Sequence, residues 1–131
     1  MPAGHLVFHT SGALPPLGFP GTQMVLDDHY AHLSGIIATD LPGAYGALGD
    51  VRAETRLVIE AVRTLLHEVG LTLADAVRVD VHLADIGDVD AMDEVYGPFF
   101  DAGRYPARTC TESPRLCGGA RVEITVMARR R

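Results

Sequence analysis

With 131 residues, 47% hydrophobic and 21% charged, the sequence has the length and composition of one globular domain spanning residues 1–131. A chain of this size buries about two-thirds of its unfolded surface, so it can hold a core without disulfides or metal. The net charge of −6, from 11 Lys and Arg against 17 Asp and Glu, argues against a nucleic-acid surface, which wants a basic face. No apolar stretch approaches the roughly 20 residues that span a bilayer, and no basic segment leads into an apolar run as in a signal peptide. Cys110 and Cys117 fit neither a secreted disulfide framework nor a metal knuckle, so reduced thiols in a cytoplasmic protein are expected.

Leu6-Val7-Phe8 reads as a first short strand, closed by the Ser11-Gly12 turn. Residues 13–21 hold three prolines and two glycines and predict a loop. Gln23 to Leu26 and Tyr30 to Ser34 predict a hairpin around Asp27-Asp28, with Ile36 and Ile37 extending its second strand. Thr39 to Gly49 reads as a flexible connection, since its glycines lack the dinucleotide-binding spacing.

From Asp50 to Val69, apolar residues recur at three- and four-residue steps (Val51, Val58, Val62, Leu65, Leu66), which predicts an amphipathic helix. Asp50 stands at its N-cap and Gly70 where a left-handed terminator belongs. Strict alternation from Ala76 to Leu83 predicts a strand with one buried face. A second helix is predicted over Val89–Phe100, shortened or distorted by Pro98. Ala107 to Glu112 and Ala120 to Ala128 predict two last strands, paired as a hairpin around residues 113–119. Arg129, Arg130 and Arg131 read as a frayed, solvated tail. The order implies an α+β domain with one mixed sheet, two helices on one face, and the other face a candidate for burial in an oligomer.

Six histidines invite a metal site, but the pairs His29/His32 and His5/His9 are spaced against chelation on a strand; no metal site is expected. Cys110 has no sequence neighbour that would activate it as a nucleophile, and reads as a small packing residue or a pocket lining. Arg108 and Glu123 each lie inside a strand between apolar residues, where charges are seldom buried unless paired. Pairing around residues 113–119 would set them at comparable heights, as a plain cross-strand ion pair or as part of a site. Composition and spacing leave both readings open.

Tyr105-Pro106-Ala107-Arg108-Thr109-Cys110, followed by Val122-Glu123-Ile124, resembles the PAR[ST]-to-EI ending of the Rid (YjgF) family of reactive-intermediate deaminases. Upstream, Leu33-Ser34-Gly35 is similar to that family's VSG strand end, and Glu94-Val95-Tyr96 with Phe99-Phe100 to its NEVYxxFF helix, so the likeness runs over about residues 20–128. The resemblance implies a chorismate-mutase-like α+β fold of six strands and two helices, assembled as a homotrimer with three inter-subunit clefts. It implies hydrolysis of 2-imino or enamine acids, such as 2-aminoacrylate, to 2-keto acids and ammonia without a cofactor. Arg108 would fork onto the substrate carboxylate, Glu123 would orient or deprotonate a water, and Ser34 and Cys110 would line the cleft. The alternative is a non-catalytic binder of a carboxylated metabolite on the same trimer. The sequence departs from the family at several positions. Gly21 stands where the deaminase subgroup carries a pocket tyrosine, and Asp93 where it carries an asparagine. Glu54 and Ala61 replace the common glutamine and asparagine, and Leu116-Cys117-Gly118-Gly119 replaces Leu-Pro-x-Gly. These departures point to a wider or differently charged pocket.

Overall fold

The apolar stripe that begins after Asp50 folds as an 18-residue helix, Val51–Glu68, with Val58, Val62, Leu65 and Leu66 buried along one side. Asp50 caps it, its carboxylate accepting from the backbone N–H of Arg52 and Ala53, and Gly70 follows its end at φ 77°. The computed structural model describes residues 4–131. Within them lie β1 (Val7–His9), β2 (Met24–Leu26), β3 (Tyr30–Leu33), β4 (Ile36–Ile37), α1 (Ala44–Ala47), α2 (Val51–Glu68), β5 (Ala76–Leu83), α3 (Val89–Tyr96), β6 (Ala107–Glu112) and β7 (Val122–Arg129).

The strands form one mixed sheet in the order β1-β2-β3-β7-β5-β6, and β4 also pairs with β7. Seven strands therefore occupy six positions, because β3 and β4 lie end to end against the same neighbour. Between His32 opposite Met127 and Ile36 opposite Ile124, one side takes four steps and β7 takes three. The extra residue falls at Ser34-Gly35, a bulge that splits the expected single strand in two. The 39–49 connection holds the one-turn helix α1, and α3 stops at Tyr96, passing into a single 3-10 turn that contains Pro98.

The predicted hairpin between the last two strands does not form. β6 runs parallel to β5, and β7 runs antiparallel to β5 on its other side, so β5 separates them. The physical reason lies in the strands' composition. β5 buries Val79, Val81 and Leu83 and suits an interior position, whereas β6 is mostly exposed and suits an edge. Parallel pairing then requires a crossover, which α3 supplies.

Met24, Leu26, Leu33, Val79, Val81, Leu83, Val122 and Ile124 face α2 and α3 in one continuous core. Full burial of each such side chain contributes about 1.5–3 kcal/mol. Glu54 is 0% exposed inside this layer. Its carboxylate accepts from the backbone N–H of Gly49 (2.9 Å) and of Arg121 (2.8 Å), tying the start of α2 to the entry of β7.

The chain end is not a frayed tail. β7 pairs through Arg129, Arg130 donates to the Asp27 carbonyl at 2.6 Å, and Arg131 bonds the Asp75 carboxylate at 2.9 and 3.2 Å. Among the described residues no helix covers the opposite sheet face. Alternation places His82, Asp80, Arg78, Glu123, Thr125 and Met127 there in adjacent rungs, with Phe8, 65% exposed, on the outer strand.

Candidate functional site

Arg108 is the second residue of β6 and pairs with the fully buried Val79, so its side chain stands on the helix side of the sheet. There it meets α3, whose Asp93 and Tyr96 are one turn apart and share a face. Arg108 Nη1 donates to Asp93 Oδ1 at 2.5 Å and Nη2 to Oδ2 at 3.3 Å. The guanidinium carbon sits 5.0 Å from the Tyr96 ring centroid, within cation–π range. Asp93, Tyr96, Gly97, Tyr105, Pro106 and Arg108 line an open cleft of ≈ 330 Å³. Arg108 is 25% exposed at its wall and Asp93 42%.

The electrostatics follow from that packing. The hydrogen bond to Asp93 raises the Arg108 pKa still further, against an opposing push from burial. Burial pushes the Tyr96 phenol up to about 12, so a neutral ring faces the cation. The Tyr96 hydroxyl is buried and has no hydrogen-bond partner among the described residues. Cys110, two residues after Arg108 on the same side, packs partly buried against the core. Burial raises its thiol pKa and outweighs the nearby Arg108, which keeps it a protonated thiol at neutral pH. It is not among the residues that line the cleft.

Glu123 lies elsewhere. On β7 it pairs with His82 of β5 and Ile37 of β4, and alternation sends it to the helix-free face. Arg108 and Glu123 are therefore on opposite sides of the sheet, with β5 between their strands, and the cross-strand ion pair read from the sequence does not exist. Among the described residues nothing donates a hydrogen bond to the Glu123 carboxylate. Gly35 is packed against it, since a Cβ there would lie 3.0 Å from Glu123 Cδ and 2.9 Å from Thr125 Oγ1. Ser34, beside Gly35, gives its hydroxyl to the Thr22 carbonyl at 2.6 Å. Gly21 is exposed in the loop next to Thr22, where an added Cβ would fall 2.6 Å from a Phe19 ring carbon. The predicted residues thus gather in two places. One holds Arg108, Asp93 and Cys110; the other holds Glu123 with Gly35 against it, while the neighbouring Ser34 lines a separate cavity with Gln23 and Leu65, and Gly21 is exposed in the loop before Thr22.

The Endoribonuclease L-PSP family model matches residues 20–130. The chain belongs to the Rid/YjgF family.

Relatives in that family include a RutC family protein of Pyrococcus abyssi, 33% identical over 122 residues that cover 93% of this chain and 94% of the relative. The protein named 3-aminoacrylate deaminase RutC, from Acinetobacter baylyi, is 32% identical over 117 residues, covering 89% and 91%. Among solved structures, E. coli TdcF with bound serine superposes at a TM-score of 0.83, with 29% identity over 93% of this chain and 97% of that one. The yeast protein YEO7 has the same fold at a TM-score of 0.86. The chorismate-mutase-like α+β fold expected from the Rid/YjgF resemblance is the fold observed.

Sequence reasoning missed four residues of the Arg108 cleft, Tyr96, Gly97, Tyr105 and Pro106. Tyr96 reads as core from its helical spacing, which is half right, because its ring is buried and also forms the floor under the guanidinium. Tyr105 and Pro106 sit in the Pro-Ala-Arg motif itself, and only their lining role went unseen. Among the described residues no group of three or more His, Cys, Asp or Glu is placed to hold a metal ion, and no helix is long and apolar enough to cross a membrane.

Proposed function

We propose that this protein hydrolyses 2-imino and enamine acids to 2-keto acids and ammonia, in a homotrimer whose clefts combine Arg108 of one copy with Glu123 of another. The observation that carries the reading is the geometry of Arg108. It is held rigidly over Tyr96 at the wall of an open cleft, and its Nε–H edge has no partner among the described residues. A guanidinium with two parallel N–H groups free on one edge suits a carboxylate. The deaminase name of the Acinetobacter relative and the serine bound by the E. coli relative support an amino-acid-like substrate.

The chemistry asks little else of the protein. The imine carbon is already electrophilic, so the main need is a water held at attacking distance. Glu123, with no donor engaging its carboxylate, takes a proton from that water as its oxygen bonds to the imine carbon. The proton on Glu123 then passes to the nitrogen of the tetrahedral carbinolamine, the C–N bond breaks, and the hydroxyl oxygen becomes the keto oxygen as its own proton leaves with the nitrogen as ammonium. Because Arg108 and Glu123 face opposite ways within a chain, this reaction needs a second copy to bring its helix-free face against the cleft. A head-to-tail contact of that kind closes as a ring, and three subunits give three equivalent sites.

A second reading, a non-catalytic binder of a carboxylated metabolite, has one observation in its favour: Arg108 already holds a carboxylate, that of Asp93. One assay separates the two. An L-amino-acid oxidase generates imines in the presence of semicarbazide, and the trapped semicarbazone is measured with and without the purified protein. Wild type is expected to lower the trapped product, and Arg108→Ala and Glu123→Ala each to lose roughly 100-fold or more of that effect. Wild type that matches buffer across a panel of amino acids, while folded and trimeric by light scattering, rejects the deaminase reading in favour of the binder.

A further inference from the structure

We propose that Asp93 sorts ligands by charge, so that the cleft accepts a carboxylate only when a cationic nitrogen is attached beside it. The accepted class is then the 2-iminium acids and other zwitterions, and the rejected class is the simple monoanionic carboxylates. This deepens the reading of Arg108 as a carboxylate grip and rests on it.

The argument starts from how the guanidinium is shared. Asp93 occupies the end-on fork, Nη1 and Nη2, and leaves the side edge formed by Nε and the second Nη2 hydrogen unengaged among the described residues. A ligand carboxylate can therefore reach Arg108 without displacing Asp93. It arrives at a place where the charge is already balanced. Arg108 supplies one positive charge and Asp93 one negative, and the phenol of Tyr96 beneath them is neutral. A monoanion would leave an uncompensated negative charge beside Asp93 in a partly desolvated cleft. A zwitterion leaves the balance at zero and gives Asp93 a partner.

The two oxygens of Asp93 are not equivalent in this respect. Oδ1 lies 2.5 Å from Nη1, while Oδ2 is 3.3 Å from Nη2 and keeps more of its accepting capacity. In a 2-imino acid the nitrogen is on the carbon next to the carboxylate, so a carboxylate on the side edge of Arg108 brings an iminium N–H toward Oδ2. An asparagine, common at this position in the family the sequence resembles, would supply the same shape with no charge.

The sorting also bears on turnover. Hydrolysis converts R–C(=NH2+)–COO− and water into R–CO–COO− and NH4+, so the positive charge leaves with the ammonium ion. The keto acid that remains is a monoanion facing Asp93, which favours its release.

The test compares L-serine with glycerate, the same skeleton with a hydroxyl in place of the ammonium, by calorimetric titration of the intact oligomer. Wild type is expected to prefer serine, and Asp93→Asn to shrink the serine-to-glycerate affinity ratio by about tenfold, as befits removal of one unit charge several ångströms away. A ratio unchanged in Asp93→Asn overturns the proposal, as do equal losses for both ligands, which mark a merely structural residue. Undetectable serine binding by wild type overturns it as well. The semicarbazone assay on the same preparations keeps the two ideas apart. A serine preference without turnover rejects the deaminase reading alone, and turnover without the preference rejects this one alone.

Discussion

The two places where the predicted site residues gather differ in what the chain already does for them. At Arg108 the side chains satisfy one another: carboxylate on guanidinium, guanidinium over ring, all within one β-α-β crossover. At Glu123 the surroundings are arranged by backbone and by glycine, and the carboxylate itself is left without a donor among the described residues. A self-satisfied pair is held in place and selects what may join it. An unpaired carboxylate on an open face is available to handle a proton. The contrast teaches that gripping and proton transfer make opposite demands on a site, and the proposed reaction assigns them to opposite faces of one sheet.

The largest test of that contrast mixes two dead proteins. If the halves come from different subunits, Arg108→Ala and Glu123→Ala, each near background alone, should regain roughly a quarter of wild-type deaminase activity after equal mixing and subunit exchange, by random pairing in a ring. Sites that use both residues from one chain would stay silent. A smaller effect is expected from Gly35→Ala, whose methyl would press on Glu123 and Thr125. A roughly tenfold fall in kcat with serine affinity at the Arg108 half held within about twofold would localise the damage; parallel losses in both would deny that the halves are separable.

The smallest effect concerns the hairpin that carries Ser34. The hydrogen bond from His32, then those from the backbone N–H of His29 and Tyr30, lowers the Asp27 pKa from 3.8 to about 2. A carboxyl depressed in the folded state stabilises above its unfolded pKa and ceases to do so as pH falls through the folded one. His32→Ala should therefore make the fall in melting temperature between pH 4 and pH 2 shallower. Identical slopes for the two proteins would remove Asp27–His32 from the account.

The elements with a strong period were legible in the sequence, and their partners were not. The stripe of α2 and the alternation of β5 fix both elements and the face each buries, because burial on one side imposes the period. That Arg108 lies beside Val79, and Glu123 beside His82, is set by strand order, on which period is silent. Adjacent strands in sequence suggested a hairpin, and only the polar character of β6 hinted that it belonged at an edge. The Asp93 departure was visible as a change of charge. Its grip on Arg108 required knowing that α3 is the crossover between β5 and β6.

That crossover also sets the order in which the molecule becomes competent. Asp93 and Arg108 are 15 positions apart, whereas Gly35 and Glu123 come from near opposite ends of the chain, about 90 positions apart. Closing the longer loop costs about 1.6 kcal/mol more in chain entropy, and it must wait for the last strand to be made. A nascent chain can therefore form its Arg108–Asp93 pair before the Glu123 face exists, and β7, which fills the centre of the sheet, completes both the core and that face in one event.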